Sequence, residues 1–205
     1  MEERIRKRKI VLVGTGFVGM SFAYSLLSEK GINELVLIDM NKDKAVGEQM
    51  DLSDGLPYAD SKMTIKAGEY EECGDADIVV ITAGAAQKPG QTRLELVGIN
   101  ARITKDVATQ VKNSGFKGIL VVASNPVDIM TYVAYKASGL PKEHVIGSGT
   151  ILDTARLRYN ISKRLGMAPS NVHAYILGEH GDSSFVPWIH CYLGCKNLLE
   201  YIDEE

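Results

Sequence analysis

The chain has 205 residues, of which 45% are hydrophobic and 24% are charged, and its formal net charge is -3 at pH 7. This composition is typical of a globular protein and excludes a disordered chain. The slightly acidic charge excludes a general electrostatic attraction to nucleic acid or to anionic membranes. At this length the chain can form one sound core, or one domain and part of a second.

The chain begins with a basic run, formed by Arg4, Arg6, Lys7, Arg8 and Lys9. A solvated N-terminal arm is favoured because the run is short and leads straight into a strand. A targeting or phosphate-binding patch is the alternative. A signal peptide is not expected, because no continuous apolar segment follows, and no apolar run is long enough to span a bilayer.

Short apolar blocks alternate with longer helical patterns up to residue 147. Continuous apolarity indicates strands that are covered on both faces, as in a parallel sheet. Strands are predicted over residues 10–13, 35–38, 63–67, 78–81, 119–122 and 145–146. Helices are predicted over 42–52, 94–113 and the apolar stripe of Val18, Phe22 and Leu26. This repetition predicts right-handed crossovers and an α/β fold with a doubly wound parallel sheet.

The alternation becomes less regular after Gly147. A helix is predicted over 152–165 and a strand over 172–177. We therefore place a domain boundary near Gly147 to Gly149, with a first domain over 1–147 and a second over 148–205.

A glycine pattern, Gly14-Thr-Gly16-Phe-Val-Gly19, directly follows the first strand and opens the first helix. Glycines let the backbone turn tightly and approach a pyrophosphate at the helix N-terminus, as in the Rossmann fold. Asp39 ends the next strand, 20 residues after Gly19 (39 − 19). A carboxylate there binds the adenosine ribose and repels a 2′-phosphate, which favours NAD over NADP. A structural turn with a surface aspartate is the alternative.

A histidine in a glycine-rich loop, His180 of Gly178-Glu-His-Gly-Asp-Ser183, is the candidate proton carrier. An imidazole ordinarily has a pKa of about 6.5, which suits proton exchange at neutral pH. Asp153 and Arg156 are three residues apart on a predicted helix, so they share one face. Arg158 lies roughly 200° round the helix from Arg156 and serves a different surface. A hydrogen-bonded loop histidine and a surface ion pair are the alternatives.

The charges of these residues suggest a division of labour in the oxidation of a 2-hydroxy acid by NAD. Neutral His180 takes the hydroxyl proton, and Asp153 orients and stabilises the imidazolium. Arg156 pairs with the substrate carboxylate, for which a bidentate guanidinium is well suited. In the reverse direction, Arg93 stabilises the negative charge that develops on the ketone oxygen.

Two loops at the carboxyl ends of strands complete the predicted site. The segment 83–92 before Arg93 is rich in small residues, and it either folds over the site to exclude water or is an ordinary connection. Asn125, in Ser124-Asn125-Pro126, either hydrogen-bonds the nicotinamide region and the substrate or belongs to a simple Asn-Pro turn.

Three cysteines, Cys73, Cys191 and Cys195, do not form an even, regularly spaced set. No second close pair completes a zinc site, so we expect no metal. Reduced thiols, and hence a cytosolic protein, are expected.

These motifs, in this order, resemble the lactate/malate dehydrogenase family from Lys9 to the last residue. Three further motifs support the resemblance, namely Thr82-Ala-Gly84, Thr92-Arg93 and Leu152-Asp153-Thr-Ala-Arg156. The resemblance implies the catalytic roles given above for His180, Asp153, Arg156 and Arg93. Malate dehydrogenases carry arginine at the position of Gln87 to pair with a second carboxylate, so glutamine points to the lactate branch and to pyruvate.

The resemblance also implies a cofactor-contacting set, which consists of Val18, Lys44, Tyr70, Gly84, Ala85, Ala123, Ser124, Asn125 and Ser148. It places Arg158 and His173 in a fructose 1,6-bisphosphate site at a subunit interface of an allosteric homotetramer.

Family members continue for roughly half as many residues again, so we expect the chain to be a fragment in which 148–205 form an incomplete α+β substrate domain. A malate or other 2-hydroxy acid dehydrogenase, a catalytically silent NAD-binding module and a nucleic-acid-binding protein remain as alternatives.

Overall fold

The structure is a computed structural model that describes residues 8–86, 90 and 92–202, except for the side chains of Arg93 and Ile202. The chain divides into two compact units, Met1–Gly147 and Ser148–Glu205. Each unit has its own sheet. The first unit has two buried clusters of apolar side chains, and the second unit has one.

The first unit is built on a six-stranded parallel sheet. Its strands are β1 (Lys9–Val13), β2 (Glu34–Ile38), β3 (Thr64–Ala67), β4 (Ile78–Ile81), β5 (Ile119–Val122) and β6 (Val145–Gly147). The spatial order is β3-β2-β1-β4-β5-β6. The predicted doubly wound sheet is confirmed. Because the order reverses between β1 and β4, their carboxyl ends border the crevice in which such sheets bind ligands.

Helices cover both faces of this sheet. They are α1 (Phe17–Ser25), α2 (Lys42–Gly55), α3 (Arg93–Asn113) and α4 (Val127–Ser138). Alternate residues of β1 face opposite ways. Val11 and Val13 pack in the cluster that includes residues of α3 and α4, while Ile10 and Leu12 pack in the cluster that includes residues of α1 and α2. The continuous apolarity of the strands follows from this two-sided burial.

The sequence patterns did not predict α4. Its buried residues, Val127, Met130 and Ala134, have the spacing of a helical face. The helix begins directly after Asn125-Pro126, for which a ligand-contacting loop and a simple turn were the two interpretations.

Lys9 does not belong to a solvated arm, and that prediction is wrong for this residue. Its side chain is 6% exposed, and its Nζ lies 2.6 Å from Asp75 and 2.7 Å from Glu72. Burial opposes its charge, but hydrogen bonds from the ammonium to the two carboxylates outweigh burial and raise its pKa. The contact anchors the start of β1. Arg4, Arg6 and Lys7 lie outside the described residues.

The second unit contains α5 (Ile151–Leu165), β7 (Val172–His173), β8 (Tyr192–Leu193), β9 (Lys196–Asn197) and α6 (Leu198–Ile202). The three short strands form an antiparallel sheet in the order β7-β8-β9. Its core consists of Val172, Ala174, Cys191, Leu193 and Leu198.

The predicted strand over 172–177 is wrong beyond His173. Threonine side chains near the start of α5 satisfy the backbone of Ile176, in place of a neighbouring strand. Thr150 donates to the Ile176 carbonyl at 2.6 Å, and the Ile176 N–H donates to the Thr154 hydroxyl at 3.0 Å. Leu177 then makes an isolated bridge to Phe185.

The three cysteines are free thiols. Burial raises the pKa of Cys73 to about 12 and also raises that of Cys191, so both are protonated and weakly nucleophilic at neutral pH. Across the described ranges, no group of three or more His, Cys, Asp or Glu side chains is arranged to hold a metal ion. None of the helices in this part of the chain is long and apolar enough to cross a membrane.

Candidate active site

The turn after β1 brings three backbone segments close together. Gly14 has a φ of +104°, which glycine adopts readily, and a Cβ there would lie 2.6 Å from the Ala83 nitrogen. A Cβ on Gly19 would collide with the Gly14 carbonyl and with the hydroxyl of Thr82. Glycine at both positions therefore permits the tight turn and the close packing of α1.

The N-terminus of α1 faces open space. Gly16 is its N-cap, and among the described residues no side chain caps the helix. A Cβ on Gly16 would have no described atom within 4 Å. The first N–H groups of the helix are therefore available to an anion, and a dinucleotide pyrophosphate fits this arrangement.

Asp39, at the end of β2, is half-buried beside this turn. Its carboxylate accepts hydrogen bonds from the Thr15 N–H at 2.8 Å, the Thr15 hydroxyl at 2.9 Å and the Asn41 N–H at 2.9 Å. Burial opposes ionisation, but these hydrogen bonds and the charge of Lys44 outweigh it, so the pKa of Asp39 lies below its ordinary value. The group is an anion at neutral pH and suits ribose hydroxyls.

A cavity of about 370 Å³ lies over the carboxyl ends of β1, β2 and β4. Burial raises the pKa of Tyr70, in its wall, to about 12, so the phenol is neutral. Seven of the predicted cofactor residues line this cavity, namely Gly14, Gly16, Asp39, Lys44, Tyr70, Gly84 and Ala85.

Other predicted cofactor residues do not line this cavity, namely Val18, Gly19, Ala123, Ser124, Asn125 and Ser148. Val18 is 60% exposed, so its predicted place in the buried stripe of α1 is wrong. The adjacent Gly19 takes the inward-facing position. Ser124 is buried, and its hydroxyl donates to the Ala83 carbonyl at 2.7 Å, which links the loops after β4 and β5.

Arg93 begins α3, but its side chain and all of Gln87 lie outside the described residues. A capping box sets the start of this helix. The Glu95 N–H donates to the Thr92 hydroxyl at 3.3 Å, and the Thr92 N–H donates to the Glu95 carboxylate at 3.0 Å. The box places Arg93 in the first turn.

In the second unit, His180 and Asp153 meet although they are 27 residues apart in sequence. The His180 Nδ1 lies 2.5 Å from the Asp153 Oδ2, and the two side chains are 32% and 21% exposed. Arg156 Nη1 lies 3.7 Å from the Asp153 Oδ1, and the Arg156 side chain is 64% exposed. The carboxylate engages Nδ1, and Nε2 is the other ring nitrogen at which an imidazole can exchange a proton.

Arg158 points to a different surface of the second unit. Its Nε donates to the Ala174 carbonyl at 2.9 Å, and its guanidinium carbon lies 4.5 Å from the centre of the Tyr175 ring. His173, directly before Ala174, is exposed on β7.

Sequence reasoning missed several residues at the nucleotide site. Thr15 binds Asp39, and Thr82 and Met40 line the cavity. Asn100 is buried in α3, and its amide contacts Ala85 and Asn125. Both positions could have been found from the sequence. Thr82 directly follows the end of β4, and Asn100 is a polar residue on a mostly apolar face of α3.

The turn, the uncapped helix and the acid at the end of β2 define a dinucleotide-binding Rossmann unit, and the second unit adds a histidine–carboxylate pair suited to proton transfer. Residues 8–147 match the family model of the lactate/malate dehydrogenase NAD binding domain, and residues 150–205 match that of the alpha/beta C-terminal domain. The chain belongs to the lactate/malate dehydrogenase family.

Relatives and solved structures agree with this membership. The chain is 54% identical to L-lactate dehydrogenase 2 of Enterococcus faecalis, over 98% of this chain and 63% of that protein. L-lactate dehydrogenase of Lactococcus lactis subsp. cremoris is also 54% identical, with 97% and 63% coverage. The ligand-bound minor L-lactate dehydrogenase of Enterococcus mundtii has a TM-score of 0.94 and 52% identity, with 97% and 63% coverage. The chain thus spans about 63% of the length of these relatives.

Replacing Asp39 by Asn tests its predicted contact with the adenosine ribose, because the substitution removes the negative charge. We expect NADH affinity to fall about 10-fold and NADPH affinity to rise, because a charged hydrogen bond is lost together with the repulsion of a 2′-phosphate. Fluorescence titration of both cofactors measures the change. Asp43→Asn, which removes an exposed carboxylate from the first turn of α2, is the matched control. Equal effects of the two substitutions on NADH affinity would contradict the assignment of Asp39.

Proposed function

We propose that the whole protein is an NAD-dependent L-lactate dehydrogenase that interconverts pyruvate and L-lactate. The observation that carries the proposal is the 2.5 Å contact between His180 Nδ1 and Asp153 Oδ2, in a chain that also contains an NAD-binding domain. The names of the relatives support the same activity.

His180 exchanges the proton in this reaction. The bound nicotinamide supplies or accepts the hydride. During lactate oxidation, His180 accepts the hydroxyl proton at Nε2 while Asp153 holds the Nδ1–H and stabilises the imidazolium. During pyruvate reduction, the same imidazolium returns the proton to the ketone oxygen.

Cationic and amide side chains orient the substrate. Arg156 pairs with the substrate carboxylate, and its exposed guanidinium leaves room for a bidentate contact. Arg93 stabilises the developing oxyanion from the first turn of α3. Asn125 hydrogen-bonds the substrate and the nicotinamide region from the loop after β5.

Gln87 sets the substrate class. A neutral amide accommodates the methyl group of pyruvate, whereas it leaves the second carboxylate of oxaloacetate unpaired after desolvation. A malate or other 2-hydroxy acid dehydrogenase is the second candidate within the family. A silent NAD-binding module is the candidate of a different class.

Steady-state oxidation of NADH by pyruvate tests this proposal. We would compare the 205-residue chain with a chimera that continues into the C-terminal third of the Enterococcus faecalis relative.

The substitution Gln87→Arg tests the substrate class. It should shift the ratio of the kcat/KM values for oxaloacetate and pyruvate toward oxaloacetate by at least about 10-fold, because arginine pairs with the second carboxylate. Gln91→Arg, which adds the same charge to the same loop, is the control. An unchanged ratio for Gln87→Arg would refute the role of Gln87, and NADH binding without turnover in either protein would favour the silent module.

Replacing Asp153 by Asn tests the proton-transfer pair. The amide keeps the shape of the side chain but cannot stabilise an imidazolium, so kcat in the chimera should fall on the order of 10²- to 10⁴-fold. NADH affinity should not change, because NAD binding is assigned to the other unit. Asp182→Asn removes an exposed carboxylate from the loop of His180 and should leave kcat within about twofold. Similar values of kcat for the two variants would rule out the assigned role of Asp153.

We further propose that Arg158 and His173 belong to a fructose 1,6-bisphosphate site of a homotetramer. The Arg158 guanidinium has five donors, so the contact of its Nε with Ala174 leaves capacity for a phosphate. The exposed imidazole of His173 lies one residue from this contact and would add a second donor to the phosphate.

If Arg158 belongs to the effector site, replacing it should remove activation by fructose 1,6-bisphosphate without lowering the basal activity. In the chimera, fructose 1,6-bisphosphate should lower the KM for pyruvate and shift the mass measured by light scattering toward a tetramer. Arg158→Gln should abolish both responses, because a charge-assisted contact to phosphate disappears. Lys163→Gln, an exposed cation later on α5, should retain them. Full activation of the Arg158→Gln variant would exclude this site.

A further inference from the structure

Asn100 connects one helix to two loops of the nucleotide-binding unit. It lies on α3, seven residues after Arg93, and it is 4% exposed. Its Oδ1 accepts a hydrogen bond from the Ala85 N–H at 2.8 Å, and its Nδ2 donates to the Asn125 carbonyl at 3.1 Å. Ala85 follows β4 and Asn125 follows β5, so a single amide holds both loops at the carboxyl edge of the sheet.

Packing alone does not explain this residue. α3 presents an apolar stripe to the sheet, and the stripe includes Val107, Ala108 and Val111. A buried amide on such a stripe contributes less hydrophobic free energy than leucine or methionine would, and it costs free energy unless both of its ends are hydrogen-bonded. Here both ends are bonded, and both partners are backbone groups of loops that contain predicted ligand-binding residues.

A second link joins the same two loops. The buried hydroxyl of Ser124, next to Asn125, donates to the Ala83 carbonyl, two residues before Ala85. Ala85 and Asp39 line the same cavity. The Ser124 bond acts directly between the loops, whereas the Asn100 bonds tie them to the helix whose first turn contains Arg93.

We propose that Asn100 is a positioning residue, which fixes the loop of Ala85 for the cofactor and the loop of Asn125 for the reacting end of the site. The first half of this inference rests on the NAD-binding domain, and the second half rests on the proposed dehydrogenase function. Asn100 acts through its two backbone partners.

Two substitutions separate the two hydrogen bonds. Asn100→Ala removes both, and we expect NADH affinity to fall about 10-fold and kcat/KM for pyruvate to fall further. Asn100→Asp keeps the acceptor for Ala85 but sets a carboxylate oxygen against the Asn125 carbonyl. NADH affinity should then change by less than about threefold, while kcat/KM for pyruvate falls about 10-fold or more.

The pH profile of Asn100→Asp provides a signature that a packing defect would not show. A protonated carboxyl group can accept from the Ala85 N–H and also donate its O–H to the Asn125 carbonyl, as the amide does. The kcat/KM of this variant relative to the parent, measured at each pH, should therefore rise as the pH falls.

Thr104→Val is the matched control. Thr104 lies four residues after Asn100 on α3, is fully buried, and places its hydroxyl 3.3 Å from the Met130 sulfur. The substitution changes a buried polar group on the same face of the helix, at a position that lies a full turn beyond the loop contacts. We expect parent-like NADH affinity and kinetics, whatever the change in melting temperature.

NADH binding is measured by fluorescence on the 205-residue chain, and the kinetics with pyruvate are measured on the chimera. Both values are normalised to the fraction of folded protein, which circular dichroism determines. If Asn100→Ala and Asn100→Asp lower only the melting temperature and otherwise behave like Thr104→Val, the inference is overturned. If the parent binds NADH but does not reduce pyruvate, the proposed function fails, while the NADH affinities of the Asn100 variants still decide the role of Asn100.

Discussion

The turn after β1 approaches the start of α1 and the residues after β4 so closely that a side chain on Gly14 or Gly19 would collide with backbone or with Thr82. The rest of the nucleotide site depends on this approach. It brings the uncapped end of α1, the carboxylate of Asp39 and the wall formed by Gly84 around one cavity. Because the strand order reverses at β1 and β4, these groups share one edge of the sheet.

In the second unit, contacts with α5 hold the loop that carries His180. Asp153 sits in the first turn of α5, and hydrogen bonds between this helix and Ile176 position the chain that leads to His180. The carboxylate then fixes the orientation of the imidazole by its contact with Nδ1. The threonine hydroxyls that displace the expected strand therefore also support the proposed proton carrier.

The incorrect sequence predictions have specific physical causes. Lys9 belongs to a basic run, yet two carboxylates from the chain before β4 compensate its burial. Val18 fits an apolar helical stripe, but it lies in the first turn of α1, where Gly19 takes the inward position. The helix α4 was not predicted, although Val127, Met130 and Ala134 have the spacing of a buried helical face. For Lys9 the deciding groups lie more than 60 residues away in sequence, whereas for Val18 the deciding residue is its neighbour Gly19.

The sequence by itself determined the parallel sheet, the glycine turn and the acid of the nucleotide site, since these depend on local apolarity, backbone freedom and strand order. All six predicted strands of the parallel sheet lie within one residue of the observed bounds, and the β4 and β5 bounds are identical. The sequence also suggested Asp153 as the partner of His180, and the structure brings the two side chains together. Tertiary structure alone decided two other meetings of polar groups: Arg158 with Ala174, and Asn100 with two loops. These hydrogen bonds join residues 15 to 25 positions apart and follow no sequence period, so only the packed chain reveals them.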